Sequence, residues 1–68
     1  MKARFQIIEG GQTTLDTVLE VRNNYAAMHE LLGMYGVQYN PERIQKRGDW
    51  LYFNTGQDTL YRTSTRFG

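Results

Sequence analysis

Arginines and large aromatics crowd the last third of this 68-residue chain. Arg43, Arg47, Trp50, Tyr52, Tyr61 and Arg66 are the side chains whose types point to binding chemistry. A guanidinium presents a planar fork of N–H donors that fits carboxylate or phosphate. Trp and Tyr supply large contact area with little side-chain entropy to lose. Together these residue types dominate interface hot spots. On a nucleic acid, bases would stack on Trp50, Tyr52 and Tyr61 while phosphates met Arg43, Arg47 and Arg66. On a protein, the same arginines would face acidic residues.

Catalytic chemistry finds fewer footholds. His29 is the single histidine, and its neighbour Glu30 and the apolar residues around it make it a boundary residue of a helix rather than a base. Asp16 and Glu20 fall on the solvated side of a strand rather than forming a working carboxylate pair. Ser64 is the only serine and lacks a Gly-x-Ser-x-Gly setting. No Lys-Ser/Thr follows Gly10-Gly11, so this is a turn and not a phosphate loop. With no cysteine, neither disulfides nor thiolate ligands are available. The expectation is a protein without enzymatic activity, cofactor or metal.

Sixty-eight residues make one domain, near the lower limit for folding unaided. No apolar run approaches the roughly 18 residues of a membrane span, and the first residues lack a signal-peptide core. A cytoplasmic location is expected, with no membrane partner. The net charge of +1 is unevenly spread. Residues 41–68 hold Arg43, Lys46, Arg47, Arg62 and Arg66 against Glu42, Asp49 and Asp58, while residues 1–40 are slightly acidic. That tilt is milder than a dedicated nucleic-acid binder shows, and it excludes an acidic DNA mimic.

Periodicity supplies the elements that would hold the aromatic and arginine side chains. Lys2–Glu9 and Leu15–Val21 alternate polar and apolar residues and read as strands. A three-residue loop, Gly10-Gly11-Gln12, would pair Ile7 with Leu15 and Phe5 with Thr17. The competing reading is a helix from Thr13 to Tyr35 opened by a capping-box-like Thr13-Thr14-Leu15-Asp16. The β-branched series Thr13, Thr14, Thr17, Val18, Val21 and the mid-segment Asn23-Asn24 argue against it. A helix over Asn24–Tyr35 is expected, buried through Tyr25, Met28, Leu31, Leu32 and Tyr35, capped by Asn23 or Asn24 and stopped at Gly36. Asn40-Pro41 makes a turn, and Glu42–Arg47, Trp50–Asn54 and Thr59–Thr65 follow as strands.

A two-residue turn at Gly48-Asp49 sets Arg47 opposite Trp50 and Gln45 opposite Tyr52. One face then carries Ile44, Leu51 and Phe53, a core. The other carries Arg43, Gln45, Arg47, Trp50 and Tyr52. A four-residue loop Thr55–Asp58 would pair Phe53 with Leu60 and Tyr52 with Tyr61, adding Tyr61 to the aromatic face. The fold class is α+β: β-β-α-β-β-β, a five-stranded, mostly antiparallel sheet with one helix on one face.

An opening hairpin, a single helix and a three-stranded meander in a chain this short resemble, in element order, small anti-CRISPR proteins of phages and mobile elements. That resemblance implies a compact phage-type inhibitor that occupies a surface of a host protein or nucleoprotein complex. A small nucleic-acid-binding or regulatory protein, touching RNA or DNA through the same face, is the alternative. Small bacterial ribonuclease toxins offer a lesser one, in which Arg47, Tyr61, Arg62 and Arg66 would supply catalytic groups, although such toxins are longer, more helical and more basic.

Overall fold

Alternation sets the first hairpin in the computed structural model, which describes residues 1–66. Lys2–Glu9 (β1) turns Ala3, Phe5 and Ile7 into the core, and Gln12–Glu20 (β2) pairs with it antiparallel. The β-branched residues of β2 keep it extended. Gly10 and Gly11, with φ of +58° and +79°, form a two-residue turn that only residues tolerant of positive φ make cheaply. Two residues alone give the wrong parity. A bulge repairs it: Ile8 faces Thr13, but Ile7 faces Leu15 and Phe5 faces Thr17. The expected register is present, produced by an extra residue at Thr14 rather than by a three-residue loop.

Asn23 caps the helix Asn24–Met34 (α1), its Oδ1 accepting the Ala26 N–H at 2.8 Å. The helix stops at Gly36, where the Val37 N–H reaches back to the Leu32 carbonyl at 2.9 Å. Its buried stripe is Ala27, Met28, Leu31 and Leu32. Tyr25 and Tyr35, expected in that stripe, are 58% and 49% exposed. Tyr25 lies about 90° around the helix from the stripe's centre at 100° per residue. Tyr35 is the C-cap and leans on Tyr61, ring centroids 6.4 Å apart.

Pro41 fixes φ and starts a short 3-10 turn, Pro41–Arg43, capped by Asn40 Oδ1 on the Glu42 N–H at 3.0 Å. The strand expected from Glu42 is thereby cut to Gln45–Arg47 (β3), which pairs with Trp50–Asn54 (β4) in the expected register. Thr59–Ser64 (β5) completes a sheet of order β2-β1-β5-β4-β3, antiparallel throughout. α1 packs over β5, β1 and β4. Phe5, Met28, Leu31, Leu32, Leu51 and Phe53 fill the space between.

The third hairpin differs from expectation by one residue. Asn54 pairs with Leu60, so Phe53 faces Tyr61 and Tyr52 faces Arg62. Side-chain caps tighten the connection. Asn54 Oδ1 accepts the Gly56 N–H at 2.8 Å, Thr55 Oγ1 accepts the Gln57 N–H at 3.3 Å, and the Thr55 N–H meets the Thr59 carbonyl at 3.3 Å. With Gly56 at φ +85°, the loop proper is Gly56–Asp58, three residues rather than four. A one-residue slip moves every side chain of the strand to the opposite face. Tyr61 therefore enters the core and is 8% exposed, while Leu60 and Arg62 turn outward. Burial, with Glu9 and Tyr35 nearby, pushes the Tyr61 hydroxyl above its ordinary pKa.

Candidate binding face

The face opposite α1 is assembled from every strand. β3 contributes Gln45 and Arg47, β4 Trp50 and Tyr52, β5 Arg62, β1 Arg4 and Gln6, and β2 Asp16. Cross-strand neighbours on one face sit close enough to bond, and here Arg4, Asp16, Gln6, Arg62 and Trp50 form one continuous chain. Asp16 takes both prongs of Arg4, Nε to Oδ1 at 2.8 Å and Nη2 to Oδ2 at 2.6 Å. Gln6 Nε2 donates to the same carboxylate at 3.0 Å, and Gln6 Oε1 accepts from Arg62 Nε at 2.5 Å. Arg62 then lies over the Trp50 ring, its Cζ 4.3 Å from the centroid. Gln6 is 6% exposed, and both ends of its amide are satisfied.

Bidentate, charge-assisted bonding holds the Asp16 carboxyl down to a pKa of about 2. The Arg4 bond is the main cause, the Gln6 bond adds to it, and the Arg4 and Arg62 charges contribute. The carboxylate raises the Arg4 guanidinium in return. Arg4 is thus neutralised locally, whereas Arg62 is bonded only to a neutral amide and an aromatic face. Among the described residues the ion pairs are Arg4–Asp16 and the N-terminal ammonium with Glu20. Among the described residues, Arg43, Arg47 and Arg62 carry no carboxylate partner.

Two of those cations, Arg43 and Arg47, border a concavity. A cavity of about 560 Å³ is lined by Arg43, Gln45, Arg47, Tyr52, Asn54 and Leu60, with no acidic side chain on its wall. Trp50 and Tyr52 are half-buried, each with part of its surface open. A concave wall of uncompensated guanidinium groups beside open aromatic rings attracts anions and offers a platform for planar groups.

The six residues singled out from the sequence separate into three sets. Arg47, Trp50 and Tyr52 share the outer face as expected. Arg43 lies in the 3-10 turn rather than in a strand, because Pro41 starts that turn, yet it still lines the same cavity. Tyr61 is not on the face, because the tighter loop turns it inward against Phe53, Ile7 and Tyr35. Arg66 is not on it either. It lies past the end of β5 and lines a shallow cleft on the helix side with Asn24, Tyr25, Lys46, Asp49 and Leu51.

Arg62 and Gln6 are the residues that sequence reasoning left off the face. A signal was present. In the longer-loop register Arg62 would point into the core, and burying an unpaired guanidinium costs far more than burying a tyrosine. His29 serves packing: its Nδ1 is bonded to the Tyr39 hydroxyl, and Tyr39 sets its edge against Phe53 at 5.8 Å between centroids. Among the described residues no three His, Cys, Asp or Glu side chains come together as a metal site. No helix among the described residues is long and apolar enough to cross a membrane. Comparison with protein-family models, with curated proteins and with solved structures finds no match for this chain.

Proposed function

We propose that this chain is a small binding protein that acts by occupying an anionic surface of a larger cytoplasmic partner, without catalysis. The observation that carries the reading is the set of three arginines without carboxylate partners among the described residues, Arg43, Arg47 and Arg62, around the partly exposed rings of Trp50 and Tyr52. Aromatic anchors with a cationic rim are what a hot spot needs. The partner class that fits best is a host nucleoprotein complex, blocked in the manner of an anti-CRISPR-type phage inhibitor. On such a complex the arginines would compete for the positions that nucleic-acid phosphates or acidic side chains otherwise take.

One observation favours a second reading. Arg62 placed over the Trp50 ring resembles the cation–aromatic pairs that hold single-stranded nucleic acid. Recovery from a bacterial lysate on immobilised protein separates the two, with an Arg47→Glu/Tyr52→Ala double variant as the control. A ribonucleoprotein captured intact by the parent chain and lost with the variant supports the inhibitor reading. Bulk RNA or DNA alone, with affinity that falls steeply as salt rises, supports the second. Equal capture by parent and variant contradicts both.

A further inference from the structure

We propose that the free edge of β2 pairs antiparallel with β2 of a second copy about a twofold axis at Thr17, giving a continuous ten-stranded sheet. β2 is nine residues long and ends the sheet, whereas the opposite edge strand, β3, has three. Long unprotected edges pair readily with further strands. This edge also leaves apolar surface half open on both sides. Val18 is 42% exposed on the outer side and Leu19 38% exposed on the helix side, where α1 packs over β5, β1 and β4 instead.

The backbone determines which groups are free. Met1 and Val21 exchange both hydrogen bonds, Val21 N–H to the Met1 carbonyl at 2.7 Å and the Met1 ammonium to the Val21 carbonyl at 3.1 Å. Bonded and non-bonded pairs alternate along an antiparallel ladder. Leu19, Thr17 and Leu15 therefore spend their amides on β1, and Asp16, Val18 and Glu20 aim theirs at the open edge.

Four registers would let this edge meet itself with faces matched. Centring on Asp16 sets two Asp16 carboxylates opposite each other. Centring on Val18 sets Asp16 opposite the partner's Glu20. Centring on Leu19 pairs only three residues of each strand. Centring on Thr17 pairs Leu15 through Leu19, the regular stretch of β2 beyond the bulge at Thr14, and sets no acid opposite another. It places Asp16 opposite the partner's Val18 and Leu15 opposite the partner's Leu19. The self-complementary register identifies the occupant as a second copy of this chain. A twofold axis perpendicular to the sheet keeps both arginine–aromatic faces on the same side. Seven strand spacings of about 4.8 Å put the two copies of β4 roughly 34 Å apart, less whatever the twist removes. A dimer is thus bivalent toward an extended or repeated partner.

Cysteine scanning tests the register directly, because the chain has no cysteine of its own. Two Thr17 residues facing across a non-bonded pair would sit about 4.5 Å apart at Cα, within disulfide reach. Oxidised Thr17→Cys should therefore run as a covalent dimer, and Val18→Cys should not. Sedimentation of the parent chain at high micromolar concentration should give twice the 8.0 kDa chain mass. Val18→Pro removes an edge N–H that β1 does not use, so it should be a folded monomer with unchanged far-UV circular dichroism. A parent chain that stays monomeric at every concentration overturns the proposal. So does a Val18→Cys variant that crosslinks as readily as Thr17→Cys.

Discussion

Gln6 sits between a carboxylate and a guanidinium, its amide N–H on Asp16 and its carbonyl under Arg62. Arg62→Ala removes the donor and leaves a buried carbonyl oxygen unsatisfied, which should cost about 1–3 kcal/mol in chemical denaturation. The same change should shift the emission of Trp50, the only tryptophan, because the cation leaves its ring. Unchanged stability together with unchanged emission would mean that the Gln6–Arg62–Trp50 chain does not form. Asp16 makes a pH prediction. Its folded pKa of about 2 lies below the ordinary carboxylate value near 4. The stabilisation is therefore present above about pH 4 and fades as pH falls toward 2. Asp16→Asn should show a melting temperature that falls less than the parent's across that window. Parallel curves would show that Asp16 is not held by Arg4 in solution.

At the scale of elements, the hairpin between β4 and β5 decides what the face is made of. The aromatic pattern of β5 allows two registers, and the choice rests on how Asn54, Thr55 and Gly56 close the loop. Side-chain caps of this kind change loop length by one without altering hydrophobic periodicity, so the slip that buries Tyr61 was not legible from alternation. The Gly48-Asp49 turn was legible because a two-residue connection leaves one register, and Arg47, Trp50 and Tyr52 lie where it puts them. The first hairpin shows a third case. The core demanded Ile7 opposite Leu15, and the sequence pattern revealed the demand but not the bulge that meets it. Tyr61→Ala tests the register. As a core residue it should cost about 3–5 kcal/mol, and Tyr52→Ala clearly less. Equal costs in the two melting curves would return Tyr61 to the surface.

The whole molecule is small enough that such losses matter. Its radius of gyration of 10.9 Å is about what a compact chain of this length should have. Domains of this kind are stable by only about 5–15 kcal/mol, so one core truncation can unfold it while face substitutions are borne. That asymmetry separates scaffold from surface: α1 covers one side of the sheet, and on the side it leaves open Arg47 and Arg62 have no carboxylate partner among the described residues. The fold class and three of the six face residues could be read from the sequence. Arg62 was legible only through the cost of burying its guanidinium in the longer-loop register, not through alternation, and Arg66, which falls beyond the last strand, was not legible. The central claim is that the outer face is the contact surface. Its most direct test is the affinity of a recovered partner for Arg47→Glu and Tyr52→Ala, each checked for an unchanged fold by circular dichroism. Each should lose about 1–3 kcal/mol, roughly fivefold to more than a hundredfold in Kd. Full affinity in both folded variants would contradict the claim.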